Sequence, residues 1–406
     1  MTLTRTEKMR DRIYSCVGVG DCKMALKGKY SCPISEATCP LLHHSSGFEV
    51  LFARGRFSLA RALLKETVEP SEGLANIFYQ CTLCGGCHEV CNNCENADWV
   101  VPARENIGDH VEIWEAMRAD LVDAGVAPMP QHKEILESIK DEHNPYFQAH
   151  GQRLDWMPQG SEAVTEGAET LFFVGCTGAY KLAEMPQNLI EILNKSDSKI
   201  AIAPDEWCCG SVALRCGDEQ LGKELAEHNT AILHQMGIKK IVATCSGCYR
   251  TFKIDYPKIL GKENFDFQVM HAIELVDELI QNGQLQINNK LDAIITYHDP
   301  CHLGRHARIF DAPRRVIEAI NQSGVKEMRR NRQYAYCCGA GGGVKSGFPD
   351  LALEIAQERI QEAEETGAKY LATTCPFCIV NLRDAAQSLG SQIEVVDLLE
   401  LVKKAI

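Results

Sequence analysis

Short apolar runs along this chain repeatedly stop at a cysteine. Leu171-Phe-Phe-Val174 reads as a buried strand and ends at Gly175-Cys176. Residues 199–203 (KIAIA) form a second strand candidate leading to Cys208. From 219 to 236 apolar residues recur with helical period, and Gly237 closes that stretch. Residues 240–244 (KIVAT) make a third strand ending at Cys245. The same order then returns. Residues 293–297 lead to Cys301, and 334–336 lead to Cys337. A helical stretch from 351 to 365 stops at Gly367, and 370–374 lead to Cys375. Strands alternating with helices predict parallel α/β sheets. Sites in open sheets of this kind gather beyond the carboxyl ends of the strands.

Upstream the pattern is helical. Phe48, Leu51 and Phe52 form one apolar set, Leu59, Ala62 and Leu63 another, and Pro70 and Gly73 interrupt them. Residues 126–160 carry Pro128, Pro130, Pro145 and Pro158 among polar neighbours, which reads as a linker. The expected organisation is a helical domain over 1–125, a linker over 126–160, and two repeats over 161–285 and 286–406. The fold class expected is α + α/β.

The chain has 406 residues, 45% of them hydrophobic and 24% charged, which is globular composition. A net charge of −13 argues against a broad nucleic-acid surface. The N-terminus lacks the apolar stretch of a signal peptide, and no run approaches the length of a membrane span. A cytoplasmic protein is expected, with any membrane anchor supplied by a partner.

The twenty cysteines change the picture most. Ten of them spell one pattern twice, C-x31-CC-x35-C-x2-C and then C-x35-CC-x36-C-x2-C. The first copy is Cys176, Cys208, Cys209, Cys245 and Cys248; the second is Cys301, Cys337, Cys338, Cys375 and Cys378. Adjacent cysteines strain a mutual disulfide, and cytoplasmic thiols are rarely paired. Clustered thiolates suit a soft metal or an iron–sulfur centre. Tetrahedral zinc needs four and would leave a fifth idle, so zinc in one copy stays open only as an alternative.

Cys81, Cys84, Cys87 and Cys91 form C-x2-C-x2-C-x3-C, the run that holds a cubane [4Fe–4S] cluster, with Gly85 and Gly86 inside it. Cys16, Cys22, Cys32 and Cys39 form a loosened second run followed by Pro40. In two-cluster ferredoxins the fourth cysteine of each run serves the other cluster. The expected sets are therefore Cys16, Cys22, Cys32 and Cys91 for one cubane, and Cys39, Cys81, Cys84 and Cys87 for the other. The alternative is that some upstream cysteines are merely buried thiols. Cys94 leaves open whether it or Cys91 is the ligand. Cys94 and Cys216 are otherwise spare.

No dinucleotide fingerprint follows a strand, so no flavin or nicotinamide site is expected. Residues 339–343 (GAGGG) directly follow Cys338 and read as a tight turn that gives a cluster room and backbone amides.

Two ferredoxin runs joined by helices resemble the helical ferredoxin modules of respiratory reductases. The doubled five-cysteine pattern resembles the CCG domains of heterodisulfide reductases, and the fused order resembles the D-type subunits of that family. The resemblance implies two cubane clusters feeding two noncubane [4Fe–4S] centres, one per repeat. It implies a disulfide substrate of the coenzyme M–coenzyme B type, cleaved in two one-electron steps at facing centres. It also implies a redox partner in a multi-subunit complex, either membrane-anchored or flavin-containing. His298 and His302 bracket Cys301 and are candidates to donate protons or bond cluster sulfur, with structural hydrogen bonding the other reading. Anionic substrate groups would want cations. Arg305, His306, Arg308, Arg314, Arg315, Arg329, Arg330 and Arg332 lie near the second copy, although a solvated helix face and a polar loop describe them more simply. Trp207 reads as shielding for Cys208.

Three functions stay open at this point. The chain is part of a disulfide reductase; or an electron-transfer component of a hydroxyacid oxidase, electron-transfer flavoprotein or acyl-CoA reductase complex; or a metal-binding scaffold without redox activity.

Overall fold

Helices form where the N-terminal apolar spacing puts them. A computed structural model describes residues 3–25, 35–91, 110–158, 160, 164–196 and 198–406. Cys32 and Cys94 lie outside the described residues. Helices Ala53–Leu64 and Glu72–Tyr79 bury Phe57, Ala60 and Leu63, and Leu74, Phe78 and Tyr79. Ser71 caps the second by accepting from the Leu74 amide at 3.3 Å. Helix His110–Asp123 packs on Glu72–Tyr79 and on Thr4–Lys8. There the buried Asp120 accepts from the Thr6 amide at 2.7 Å and from Arg5 at 3.1 Å. Strands β1 (Met24–Ala25) and β2 (Glu36–Ala37) pair antiparallel. The stretch expected as a linker contains helix Pro130–Glu142, which opens on the proline that a first helical turn tolerates.

The chain divides into two compact units that sequence order does not follow. The first gathers Met1–Glu134 with two later segments, Val212–Glu219 and Arg329–Arg359. Glu358 shows what binds one of these segments to the N-terminal part. Its carboxylate takes Arg330 at 2.8 Å, the Tyr336 hydroxyl at 2.9 Å and His44 at 2.7 Å. Arg330 also donates to the Ala37 carbonyl at 3.3 Å. Burial alone would raise the Glu358 pKa, but His44 and Arg330 outweigh it and hold the group well below the usual carboxylate range.

The second unit comprises Ile135–Ser211, Gln220–Met328 and Ile360–Ile406 and carries two parallel three-stranded sheets. One orders β3 (Thr170–Phe173), β4 (Lys240–Ala243) and β5 (Gln268–His271); the other orders β6 (Ile295–Tyr297), β7 (Tyr370–Thr373) and β8 (Glu394–Asp397). Parallel bridges at Ala201 and at Val325 extend the two sheets in matching places. Residues 334–336, expected as the second repeat's counterpart strand, are not one: Arg332–Tyr334 is a single helical turn, and the bridge is made upstream, by Val325.

A shared core joins the two sheets, running from Phe172 and Val242 to Ile295, Ala372 and Val396. The helix ending each repeat packs on the other repeat. Ala272–Gln281 lies on Asp311–Ile320, and Leu398–Ala405 lies on Glu184–Lys195. Among the described residues no helix is long and apolar enough to cross a membrane.

Asp397, at the end of β8, gives a pH-dependent test of this packing. It is buried, accepts from the Leu399 amide, and its Oδ2 has no partner among the described residues. Burial raises its pKa from 3.8 to about 8. A raised carboxyl contributes fully below its unfolded pKa and loses that contribution as pH rises through its folded one. Asp397→Asn is therefore expected to flatten the fall in unfolding free energy between roughly pH 4 and pH 8. Chemical denaturation across that range reads the slope, and an unchanged slope counts against the account.

Candidate metal centres

Strands β3, β4, β6 and β7 each lead to a cysteine in the turn that follows. Cys176 opens the short helix Cys176–Tyr180 after β3, and Cys245 caps Ser246–Arg250 after β4. Cys375 caps Pro376–Leu389 after β7, and Cys378 lies in that helix's first turn. Gly175 takes φ +74°, and a Cβ there would sit 3.0 Å from the Cys248 Sγ, so only glycine fits beside the sulfurs.

All five thiols of the first copy are buried and within hydrogen-bonding reach of one another in a chain. Cys176 meets Cys208, Cys208 meets Cys209, and Cys248 meets both Cys209 and Cys245. Cys245 in turn donates to Cys375, so thiols of the two repeats meet. Cys208 accepts from Cys176 but donates to Cys209 and is buried, and its pKa stands at about 12. Cys209, accepting from Cys208 and Cys248, is pulled below the ordinary thiol value. Such thiols, wrapped by backbone without room for a Cβ, fit a soft polynuclear metal group.

Charged groups that the spacing does not reveal surround the first copy. Arg153 is buried and donates to the Cys176 Sγ at 3.6 Å. Its other edge pairs with the buried Glu206. Glu206 also accepts the Val174 and Gly175 amides, each at 2.9 Å, and so holds the turn that carries Cys176. Tyr146 bonds Thr177 at 2.8 Å; burial raises its pKa, as do Cys176 and Cys245 nearby.

Trp207 is clamped between His143 and His228, with ring centroids 3.6 Å and 3.5 Å away. Its Nε1 reaches Asp205 at 3.1 Å. This stack holds the residue just before Cys208.

The two candidate histidines separate. A ring nitrogen of His298 and the Cys378 Sγ lie within 4.8 Å of each other. His302 instead stands over the first copy's turn: its Nδ1 would be 3.6 Å from a Cβ on Gly247, between Cys245 and Cys248. Thr374, next to Cys375, ties the repeats together here. Its carbonyl accepts from Ser246 Oγ at 3.0 Å and from His271 Nε2 at 3.1 Å, and burial lowers the His271 pKa to about 4.

The suggested cations are mostly engaged in the fold rather than solvated. Arg314 is buried between Asp299 and Glu327. Arg315 pairs with Asp277, Arg329 with Glu36 and Arg330 with Glu358. Arg305 is buried, and Arg308 adopts φ +62°. Cys301 is half-buried in the turn after β6.

In the first unit the N-terminal cysteines fall into two groups. Cys16, Cys22 and Cys91 line an open recess of about 350 Å³ together with Gly18, Gly20 and His110. Burial raises the Cys22 pKa to about 11, and Cys91 and Cys16 add to it. Cys39 reaches about 12 through burial, opposed by Arg56 and reinforced by Cys84 and Cys81. Cys87 is raised by burial and by Cys81 and Cys84. Thiols that raise one another when ionised are thiols that a cationic iron group would satisfy together. His110, which the spacing does not single out, approaches the Cys87 Sγ at 3.4 Å and lines the other group's recess.

Cys337 and Cys338 are buried in this same unit, and the Gly339 amide donates to the Cys337 Sγ at 3.4 Å. Cys216 is a buried thiol whose pKa burial lifts to about 12, and its carbonyl accepts from the Tyr79 hydroxyl at 2.5 Å.

Residues 170–253 and 295–383 each match the CCG cysteine-rich domain family. The chain is 39% identical over 347 residues to the D-type subunit of the dihydromethanophenazine:CoB–CoM heterodisulfide reductase of Methanosarcina barkeri, covering 84% of this chain and 81% of that one. It is 27% identical over 350 residues to the EtfAB:quinone oxidoreductase of Syntrophomonas wolfei, covering 81% of this chain and 46% of that one. In fold it is similar to the crystal structure of a hypothetical protein from Helicobacter pylori. That match has 12% identity and a TM-score of 0.55 over 87% of this chain and 67% of that one.

Proposed function

This chain belongs to the family of heterodisulfide reductase D-type subunits, and from that premise we propose that it is an iron–sulfur oxidoreductase component whose paired repeats reduce a disulfide. Cys16, Cys22, Cys32 and Cys91 hold one cubane cluster, and Cys39, Cys81, Cys84 and Cys87 the other. Cys176, Cys208, Cys209, Cys245 and Cys248 hold one noncubane centre; Cys301, Cys337, Cys338, Cys375 and Cys378 hold the second. Electrons come from a redox partner in a larger complex and pass through the cubanes to the paired centres. The substrate is a mixed disulfide of the coenzyme M–coenzyme B type, and the two centres, when held by these cysteines, would supply the two electrons that its cleavage needs.

The observation that carries this reading is the thiol chain from Cys176 through Cys209 and Cys245 to Cys375. Two centres that act on the two halves of one bond must be close, and this chain supports their closeness. His302 beside the Cys245–Cys248 turn is in reach to protonate a departing thiolate.

The likeness to an EtfAB:quinone oxidoreductase favours a second reading, in which the repeats only pass electrons on. Anaerobic purification followed by reduced viologen and the coenzyme M–coenzyme B disulfide separates the two. Turnover is expected, with roughly sixteen irons per chain from four four-iron centres. Intact centres that leave every disulfide untouched would establish electron transfer alone.

A further inference from the structure

Residues 1–65 run against the charge of the chain as a whole. They hold eleven lysines and arginines and five aspartates and glutamates, whereas the full chain stands at −13. Exposed apolar side chains gather there too. Tyr14, Val17, Val19 and Met24 are four of nine large apolar residues exposed among the described residues, and Val17 and Val19 are 66% and 55% exposed. Apolar groups concentrated at one surface, instead of scattered singly, mark a contact site.

Val17 and Val19 also line the recess that gathers Cys16, Cys22 and Cys91. Gly18 between them takes φ +77°, and a Cβ there would meet nothing within 4 Å, so the loop is open to an approaching surface. Helix Ala53–Leu64 holds this loop with two arginines. Arg54 donates to the Gly18 carbonyl at 3.4 Å, and Arg61 donates to the carbonyls of Ile13, Tyr14 and Cys16. Carbonyls leave a guanidinium's charge in place, and among the described residues no carboxylate pairs with Arg61 or Lys65. Both lie by the Tyr14 ring, 5.4 Å and 5.9 Å from its centroid. Arg54 and Lys23 share a single carboxylate, Glu49. Asp11 and Asp21, the second in the recess wall, oppose these cations, and the surplus stays positive.

We propose that this surface docks an acidic one-electron carrier protein, which delivers its electron to the cluster whose assigned ligands include Cys16, Cys22 and Cys91. This rests on the proposed function. The step balances as one electron leaving the reduced carrier and one entering the cluster, with no bond made or broken. Electronic coupling falls steeply with separation, so a carrier must reach the recess itself. The apolar residues flanking the recess let two protein surfaces meet with water excluded. The cations steer an acidic protein towards it. Helices Thr4–Lys8 and Arg10–Tyr14 have only five residues each and present no continuous apolar face, which favours a protein over a lipid surface.

A plant-type [2Fe–2S] ferredoxin, itself an acidic one-electron carrier, serves as the probe, added to the anaerobic full chain. Calorimetric titration with the oxidised form reads binding, and stopped-flow absorbance with the reduced form reads electron delivery. Lys65→Glu and Val19→Asp are each expected to weaken binding by about tenfold and to slow reduction by a similar factor. Wild-type affinity should fall as salt rises. Leu389→Asp, at an exposed apolar residue of the second unit, should bind as the wild type does. Lys65 ends its helix, so iron content and the cubane signal should persist in Lys65→Glu. Equal binding by Lys65→Glu and wild type, or an affinity indifferent to salt, overturns the proposal. Sedimentation with anionic phospholipid vesicles in place of ferredoxin binding overturns it too. So does a dimer that Val19→Asp abolishes, which would assign the surface to a second copy. Tight ferredoxin binding by a wild-type chain that shows no cubane signal after viologen reduction would instead refute the cluster assignment of the proposed function.

Discussion

Replacing Cys209 and Cys248 together by serine is expected to remove about four irons per chain, with the cubane signals intact. Cys209 sits at the middle of the first copy's thiol chain, accepting from Cys208 on one side and Cys248 on the other. Cys248 is also the sulfur that Gly175 leaves room for. Serine keeps the volume and the hydrogen bonds, so the sheet ends should fold as before. It does not keep the soft thiolate that binds iron. Cys216→Ser is the matched control. Cys216 is equally buried, but Arg118 and Asp218 influence it rather than other thiols, and its iron count should stay at the wild-type level. Iron and sulfide analysis with EPR reads both. Full iron retention in the double variant would remove Cys209 and Cys248 from the site.

Much of this arrangement was legible because strand ends and cysteines coincide. A run such as residues 240–244 must be buried to be stable, and the residue after it must leave the sheet, so Cys245 had to face a turn. The third strands were harder to see. Gln268–His271 and Glu394–Asp397 are as long as β3, β4 and β7, but no cysteine follows them to mark their ends. Residues 334–336 failed for the opposite reason. Tyr-Ala-Tyr has strand propensity, but Tyr336 spends its hydroxyl on Glu358 and packs under Arg330, and tertiary contact overrode propensity.

The charges were the least legible part. Arg314 and Arg330 sit in sequence among other cations and look solvated. Each is buried because its carboxylates, Asp299 with Glu327 and Glu358, come from 13 to 28 residues away. Arg118 meets carbonyls up to 224 residues away, and no local pattern encodes that. The recruitment of Val212–Glu219 and Arg329–Arg359 into the first unit follows from the same contacts. His302 shows the limit for site chemistry: adjacent to Cys301 in sequence, it stands over Gly247 of the other repeat.

Arg153 and Glu206 separate structural from electrostatic roles at the first copy. Arg153→Met leaves the Glu206 carboxylate buried with the Val174 and Gly175 amides but without its cation. Breaking a buried pair on one side costs about 3–5 kcal/mol. Adding Glu206→Gln removes the stranded charge, and the double variant should regain much of that loss, since a neutral replacement of both partners is often tolerated. Stability alone would then say that Arg153 holds the fold. The midpoint potential of the first centre says more. A guanidinium at 3.6 Å from the Cys176 Sγ favours the more negative, reduced state, so Arg153→Met should lower the potential, and adding Glu206→Gln, which removes the opposing charge beside the same turn, should bring it part of the way back. Denaturant unfolding and EPR-monitored redox titration of the same two proteins test this. An Arg153→Met variant that loses stability but keeps a wild-type potential would mean that Arg153 holds the Cys176 turn in place and does nothing to the electrons that reach it.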